Sequence, residues 1–534
     1  MYKNYLLAIL SGLLLAASWP TYGYPLYIFI GFVPLLTAEW NIRESNTRHR
    51  NLHTFFVSYI GFFVWNVITT WWIWNSTAVG AVFALVVNSL LMTIVFQLYH
   101  LIAKRKPRRF SMFFLIALWI SFEKFHLNWD FSWPWLNLGN VFSDYPQWIQ
   151  WYDITGVFGG SLWIWIVNSS FFSAVILLKK TKNIRFFIKK ILLPIGLIVI
   201  GIFSSLNTYY KYQEQGKVFK ALVIQPNIDP YTEKYRQSND QIALNLLRLT
   251  QSKMDSSVQY ILAPETVFSR NTTANNFYKS LGYQKLTSYL SSYPKTSFLI
   301  GVNLYKAFNS ATTPPSVTAN KFTNTDAAWY ESYNAAMYLA ANRKPEIYHK
   351  SKLVVGVEHF PFRSVLQPLL GDVMIDLGGS VSTLTPQEEV SVFKHPDSKL
   401  TAAPIICYES IYGEYTGNYV QKGANFLAII TNDSWWGNTQ GHKQLLSYAR
   451  LRAIEHRRAI ARSANSGISA FINQKGDIIS KLDYETEGVL KGSIHANNNI
   501  TYYSKHGDFI ARVAAFVAIL FFLIGLFVKQ KSNN

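Results

Sequence analysis

The pattern of apolar and polar residues divides the chain into two kinds of sequence. A stretch of about 20 mostly apolar residues is long enough to cross a bilayer as a helix. Eight such stretches span residues 4–20, 24–40, 54–74, 80–103, 110–127, 160–178, 188–206 and 509–528. The pattern therefore predicts a membrane domain of seven helices over residues 1–206, with an eighth helix and a tail over residues 509–534.

Residues 207–508 have a different pattern, in which short apolar runs alternate with amphipathic stretches. The predicted strands are Lys220–Ile228, Gln259–Phe268, Ser297–Tyr305, Ala335–Ala340, Ala402–Tyr408, Phe426–Thr431 and Ile468–Ile472. The predicted helices span residues 238–255, 274–291 and 442–459. This alternation predicts an α/β domain in which helices cover a sheet. Segment 307–327, rich in Ser, Thr, Pro and Asn, is predicted to be an exposed loop.

The distribution of charge predicts the orientation of the helices. The formal charge is +20, but residues 207–506 hold 31 Lys+Arg against 23 Asp+Glu, so +12 lies among the apolar segments. Fourteen cations lie in loops 41–52, 104–109 and 179–190, whereas none lies in loops 21–23, 75–79 and 128–159. Positive loops are typically cytoplasmic. Both termini are therefore predicted to be cytoplasmic and residues 207–508 to lie outside, and nothing indicates a nucleic-acid site.

The composition indicates a membrane protein and excludes several kinds of site. Half of the residues are apolar and 15% are charged, as is typical of a membrane protein. A single cysteine excludes a disulfide framework, and no zinc-binding spacing occurs, so we expect no metal or cofactor. The Trp-rich loop 128–159 is either an aromatic belt at the membrane surface or part of a lipid-access surface. Four arginines are expected on a solvated or salt-bridged helix face: Arg450, Arg452, Arg457 and Arg458.

Three residues of the outer block suggest thiol chemistry. Cys407 follows a buried-looking strand, and Glu265 and Lys350 lie upstream beside other strand-like runs. A thiol is mostly protonated at neutral pH unless a base or a positive field acts on it. We expect Lys350 to supply that field and Glu265 to take the proton. Such a set suits attack on an ester or amide carbonyl, with the lysine and a backbone N–H stabilising the oxyanion.

The same segments carry a family resemblance. Ala263-Pro264-Glu265, Tyr348-x-Lys350 and Cys407-Tyr408-Glu409 resemble the signatures of the nitrilase (carbon–nitrogen hydrolase) superfamily. Further motifs resemble its membrane-bound apolipoprotein N-acyltransferase family. They include Glu358 eight residues after Lys350, Asn432-Asp433-Ser434-Trp435-Trp436-Gly437 and, in the membrane part, Trp133-Pro134-Trp135-Leu136. The resemblance covers nearly the whole chain and implies eight membrane helices with a nitrilase-like αββα sandwich, residues 207–508, on the outer side.

The resemblance implies an enzyme of the bacterial inner membrane that completes lipoprotein maturation. It would take an sn-1 acyl chain from a phospholipid, typically phosphatidylethanolamine, form a thioester on Cys407, and pass the chain to the α-amino group of a diacylated apolipoprotein. We expect a monomer with its active site facing the periplasm. Implied supporting residues are Glu358 as a second carboxylate, Tyr408 and Glu409 as shaping residues, Trp435 at the entrance, and Tyr235, where the family often has Trp.

Two other functions are compatible with this sequence, and one further segment has two possible roles. A membrane-tethered amidase of the nitrilase type would use the same three residues but let water attack the thioester. A scaffold without chemistry would retain only the fold. The arm Phe360–Leu377 is either a lid over the site or an ordinary buried loop.

Overall fold

The computed structural model describes residues 2–229, 233, 236–322, 328–363 and 383–527. The chain divides into two compact units. The first consists of Met1–Trp74, Gly80–Lys211 and His506–Asn534, and the second of Asn75–Val79 and Tyr212–Lys505.

The first unit is helical. Its helices are α1 (Tyr2–Ala17), α2 (Ile28–Gly31), α3 (Val33–Arg43), α4 (Arg50–Thr70), α5 (Ala78–Ala103), α6 (Arg108–His126), α7 (Tyr152–Thr181) and α8 (Ile184–Lys211), joined by the C-terminal helix Phe509–Phe527. Within the described residues, six segments are long and apolar enough to cross a membrane: Pro25–Arg43, Arg50–Asn75, Ala78–Ala103, Tyr152–Thr181, Ile184–Lys211 and Phe509–Phe527.

The two other predicted spans are less apolar or shorter. Helix α1 has 16 residues, and α6 carries Arg108, Arg109, Glu123 and Lys124 along its 19 residues. The membrane character of the unit is confirmed by the six long segments, while the count of eight stays a prediction.

The core of the first unit combines aromatic packing with a buried carboxylate. Phe32 stacks on Trp165 with ring centroids 4.3 Å apart, and both rings are fully buried. Glu123 accepts hydrogen bonds from the Ser161 hydroxyl at 2.7 Å and from the Leu138 N–H at 2.9 Å. Within the Trp-rich stretch 128–159, short 3-10 turns form at Pro134–Leu136, Leu138–Phe142 and Pro146–Trp148, and the second of them is fully buried.

The second unit contains two sheets. Its strands are β1 (Lys217–Gln225), β2 (Val258–Leu262), β3 (Phe268–Thr272), β4 (Ser297–Asn309), β5 (Asn320–Lys321), β6 (Ala328–Ala340), β7 (Glu346–His349), β8 (Phe393–Lys394), β9 (Thr401–Ile406), β10 (Phe426–Thr431), β11 (Ile460–Ala464), β12 (Ala470–Ile472), β13 (Ile478–Lys481) and β14 (Gly488–Ala496). In the described residues, one sheet has the order β14-β1-β2-β4-β6-β5, with β3 on β4 and β7 on β6. The other has the order β13-β12-β11-β10-β9-β8.

The helices of this unit lie between and after these strands. They are α9 (Asn239–Gln251), α10 (Ala274–Lys279), α11 (Leu281–Ser292), α12 (Gly413–Gln421), α13 (Gln440–His456) and α14 (Tyr502–His506). The predicted helix 274–291 is two helices, because the Ser280 side chain accepts a hydrogen bond from the Tyr283 N–H and begins a new helix.

The two sheets of this unit pack face to face, and helices cover the outer face of the first sheet. Leu222 and Ile224 of β1 belong to the apolar core that α9 and α11 cover. Residues on the opposite face meet the second sheet, where the ring of Phe219 lies 4.7 Å from that of Phe426. Because successive side chains point to opposite faces, one strand serves both layers. The α/β part of the predicted fold is confirmed.

Two expectations are wrong in part. Segment 307–327 is not simply a loop, because β4 continues to Asn309 and β5 lies at Asn320–Lys321, both paired with β6. The four arginines do not form a solvated helix face, because Arg452, Arg457 and Arg458 are 1–3% exposed and Arg450 is partly buried. The salt-bridged alternative holds for Arg452. Arg452 pairs with Glu455, and Arg458 donates to the Ala424 carbonyl, so these cations join the elements around α13.

Candidate active site

The nucleophile candidate lies on a sharp turn at the end of a strand. Strand β9 ends at Ile406, and Cys407 begins a short 3-10 turn with a φ of 49°. Non-glycine residues rarely adopt this left-handed region, so the turn is held by surrounding contacts. The Ser410 hydroxyl donates to the Cys407 carbonyl at 2.7 Å. The turn points the thiol into a cavity of about 540 Å³.

A buried lysine lies between two carboxylates in the same cavity. Lys350 follows β7, and its Nζ is 2.9 Å from Oε1 of Glu265 and 2.9 Å from Oε1 of Glu358. The lysine is 1% exposed. Burial alone lowers the pKa of Lys350, but the two carboxylates outweigh it and the pKa is raised well above its usual value. The lysine is therefore a fixed cation. We call Glu265, Lys350, Glu358 and Cys407 the catalytic cluster.

Neutral groups hold both carboxylates in place. Asn334 Nδ2 donates to Oε1 of Glu265 at 2.7 Å and to Oε1 of Glu358 at 3.0 Å. The Asn432 N–H donates to Oε2 of Glu265 at 2.9 Å, and the Val354 N–H donates to Oε2 of Glu358 at 2.9 Å. Because each carboxylate has several donors, its position is fixed before any substrate binds.

A third carboxylate connects the lysine segment to the cysteine segment. Glu409 is fully buried. Its Oε1 accepts from the Ser351 N–H at 2.7 Å and from the Tyr348 hydroxyl at 2.6 Å, while its Oε2 accepts from the Ile406 N–H at 2.8 Å. Ser351 follows Lys350 and Ile406 precedes Cys407, so Glu409 sets the spacing between the lysine and the nucleophile.

The surroundings of Cys407 favour the protonated thiol. Burial, and next the negative charge of Glu265, raise the pKa of the Cys407 thiol; the opposing effect of Lys350 is smaller. Lys350 acts on the thiol in the expected direction, since it lowers the pKa of Cys407, but burial and Glu265 outweigh it. Attack on a carbonyl requires a base that removes the proton as the bond forms, and the carboxylate of Glu265 lines the same cavity as Cys407.

This protonation state predicts a pH dependence. A raised pKa makes the thiolate fraction smaller than that of a free cysteine, whose pKa is about 8.5. We expect the rate of Cys407 alkylation by iodoacetamide to rise about tenfold per pH unit from pH 7 to pH 9 without levelling off. Mass spectrometry of the alkylated protein measures the rate. A plateau below pH 8 would mean that the site lowers the thiol pKa.

A buried ion pair lies at the end of strand β10, next to the cavity. Arg462 Nη2 is 2.8 Å from Oδ2 of Asp433, and neither side chain is exposed. Oδ1 of Asp433 accepts from the Thr431 hydroxyl at 2.6 Å. Thr431 also lies beside the Cys407 side chain and lowers the pKa of its thiol. The pair thus fixes the strand end that contacts the thiol.

We expect Arg462→Met to destabilise the protein strongly. The substitution leaves the Asp433 carboxylate buried without its cation, which costs roughly 3–5 kcal/mol. The thermal unfolding midpoint, followed by tryptophan fluorescence in detergent, measures the loss. Arg248→Met is the control, because the Arg248–Glu487 pair is exposed and such pairs contribute about 1 kcal/mol or less. Equal midpoints for both variants would contradict the prediction.

The cavity brings together most of the residues predicted from the sequence. Glu265, Lys350, Glu358, Cys407 and Trp435 line it. Glu409 connects the segments of Lys350 and Cys407 next to this cavity. Tyr408 is buried, and its ring centroid lies 5.4 Å from that of Tyr412. Tyr235 and residues 364–377 of the predicted arm lie outside the described residues.

Sequence reasoning missed two members of the site. Asn334 is the first buried residue of β6 and the last polar one before its apolar end, and Arg462 lies in a strand that was not predicted. A buried polar residue in a strand is unusual, and this is the signal that singles out both. In the described part of the chain, no group of His, Cys, Asp or Glu is arranged to hold a metal ion.

Comparisons with known proteins agree with this geometry. Residues 11–170 match the family described as the apolipoprotein N-acyltransferase N-terminal domain, and residues 308–500 match the carbon-nitrogen hydrolase family. The apolipoprotein N-acyltransferase of Chlorobaculum tepidum is 29% identical, over 99% of this chain and 97% of its own. The apolipoprotein N-acyltransferase 1 of Treponema denticola is 24% identical, over 99% and 97%.

Solved structures add a more distant similarity. Saccharomyces cerevisiae Nit3, a nitrilase-superfamily member, aligns with 55% of this chain and 95% of its own at 14% identity, with a TM-score of 0.35. The two family matches cover the helical and the α/β parts, and the relatives align from end to end. The chain belongs to the apolipoprotein N-acyltransferase family.

Proposed function

We propose that this chain transfers an acyl chain from the sn-1 position of a phospholipid, through a thioester on Cys407, to the α-amino group of the diacylglyceryl-cysteine of apolipoproteins. The observation that carries the proposal is the catalytic cluster: a thiol, a carboxylate and a buried lysine line one cavity, and the described residues of the same chain include six apolar segments of membrane length. A buried thiol beside a base suits acyl transfer, and the membrane holds both lipid substrates.

In the first half-reaction the thiol attacks the donor ester. As the S–C bond forms, the thiol proton passes to Glu265 and the carbonyl oxygen becomes an oxyanion stabilised by Lys350. The C–O bond to the glycerol then breaks, and the departing oxygen takes the proton from Glu265. The products are a thioester and a lysophospholipid.

In the second half-reaction the α-amine of the acceptor attacks the thioester. The C–N bond forms, the C–S bond breaks with its electron pair on sulfur, and the amine proton returns to Cys407 through Glu265. The two lipids share one cavity at different times, so a ping-pong order follows.

The setting of this chemistry is part of the proposal. We place residues 207–508 on the periplasmic side of the bacterial inner membrane and both termini in the cytoplasm, as the loop charges indicate. The expected donor is phosphatidylethanolamine, and the expected state is a monomer. Glu358 shares the positive charge of Lys350 with Glu265, which keeps Glu265 from being fully neutralised by the lysine.

A transfer assay in detergent tests the proposal. The purified protein is mixed with phosphatidylethanolamine and a synthetic diacylated lipopeptide, and both products are followed by mass spectrometry. We expect the lipopeptide to gain one acyl chain in an amide bond, with one lysophospholipid released for each transfer. Release of free fatty acid with no change in the lipopeptide would overturn the transferase and favour the tethered hydrolase.

A further inference from the structure

One hydrogen-bonding group of Asn334 is not used by the cluster. The two carboxylates fix the amide orientation, because its Nδ2 must face them and its Oδ1 would be repelled. Oδ1 is buried and accepts no hydrogen bond from any group in the described part of the chain. The residue is 4% exposed and lines the cavity. A buried carbonyl oxygen without a donor is costly, so this atom is ready to accept a donor from a substrate.

Asn334 ends a row of uncharged polar side chains on the cavity wall. Tyr330 and Ser332 alternate with it on β6 and line the same cavity, and Asn303 is paired directly opposite on β4. Alternate residues of a strand, and residues paired across strands, share a face. Among the described residues that line the cavity, charge is confined to the catalytic cluster. The row therefore suits a polar, peptide-like group better than a hydrocarbon chain.

The chemistry of the two half-reactions decides which donor reaches Oδ1. The oxyanion is itself an acceptor, and the donor ester has no N–H or O–H at its reacting carbon. The thiol has one proton, which Glu265 receives. A neutral primary amine differs, since it has two N–H groups when it attacks. One of them is removed, and the other needs an acceptor beside the base.

We infer that Asn334 orients the α-amino group of the acceptor through its Oδ1, while Glu265 receives the other N–H. The inference rests on the proposed function and assigns to its second half-reaction a substrate-orienting residue. Asn334 Nδ2 and Oδ1 then have separate tasks: the first fixes the base, and the second directs the amine lone pair at the thioester carbon. The proton transferred to Glu265 ends on Cys407, and the N–H bound to Oδ1 remains in the amide product.

Single-turnover discharge of the isolated acyl-enzyme tests the inference. The thioester form is discharged with either a diacylated lipopeptide or ethanethiol, which has only the one thiol proton to give. We expect Asn334→Ala to slow aminolysis about tenfold more than thiolysis. Asn334→Ser is the second variant, because it keeps one donor for a carboxylate and lacks the carbonyl oxygen; it should show the same selective loss. Asn425→Ala, at an equally buried asparagine away from the cavity, should leave the ratio unchanged.

An acceptor analogue with one N–H fewer gives a second test, which can be read in the wild-type protein as well. A lipopeptide methylated on its α-amine has one N–H when neutral, so it cannot serve Glu265 and Oδ1 together. We expect the wild-type acyl-enzyme to discharge to it about tenfold more slowly than to the unmethylated lipopeptide, and Asn334→Ala to lose no more rate with it than with the thiol. Equal loss against amine and thiol in the variants, or equal rates for the two lipopeptides in the wild type, would overturn the inference. Failure of the wild type to acquire or transfer an acyl chain would instead overturn the proposed function.

Discussion

Replacing Cys407 by alanine is expected to remove acyl transfer while leaving the fold intact. Without the sulfur no thioester forms, and loss of a covalent nucleophile typically costs about 10⁴-fold or more. The side chain borders a cavity, so removal of one atom leaves little unfilled volume in the packed core. Transfer to the lipopeptide measures activity, and the thermal unfolding midpoint measures folding.

The outcomes for Cys407→Ala separate an enzyme that uses the thiol from a scaffold. Full transfer in the variant would exclude the thioester route. Loss of transfer with an unchanged unfolding midpoint agrees with an enzyme and excludes a scaffold as the sole function. Cys407→Ser is a useful companion, because it keeps the polar atom on the same strained turn while offering a poorer nucleophile.

Replacing Glu265 by glutamine is expected to block formation of the acyl-enzyme. The thiol has a raised pKa and depends on a base, and general-base catalysis contributes about 10²–10⁴-fold. The amide also brings an NH2 group to a position that Asn334 and the Asn432 N–H approach as donors. We therefore expect a loss of stability of about 1–3 kcal/mol in addition.

The measurement for Glu265→Gln is the rate of thioester formation from phospholipid alone, by rapid quench and intact mass. Glu389→Gln is the matched control, since its carboxylate is 83% exposed and pairs with Lys422 at the surface. We expect the control to form the acyl-enzyme at the wild-type rate. A normal rate in Glu265→Gln would remove this residue from the role of base.

The strands that can be predicted from the sequence are those whose burial requires a clear pattern of apolar residues. Strand β10 is predicted with its observed bounds because Phe426–Thr431 is a continuous apolar run, as in a strand covered on both faces. Strand β6 is predicted only from Ala335, since its first seven residues, Ala328–Asn334, include charged and polar groups. Their strand conformation comes from pairing with β4, which is a contact that no local pattern contains.

The same distinction applies to the site. Cys407, Glu265 and Lys350 are recognisable because each matches a motif and Cys407 and Glu265 follow apolar strands, and the structure brings all three to one cavity. Asn334 and Arg462 act through partners that are 24 to 69 residues away in sequence. The direction of the Cys407 pKa shift cannot be predicted from the sequence either. It depends on burial and on the proximity of Glu265, which only the folded chain defines.

The most direct test of the central claim is the mass of the protein after incubation with phosphatidylethanolamine alone. We predict an added acyl chain on Cys407 that hydroxylamine removes and that disappears when a diacylated lipopeptide is added. An unmodified Cys407 after incubation with several phospholipids, in protein that remains folded and whose thiol still reacts with iodoacetamide, would contradict the thioester mechanism.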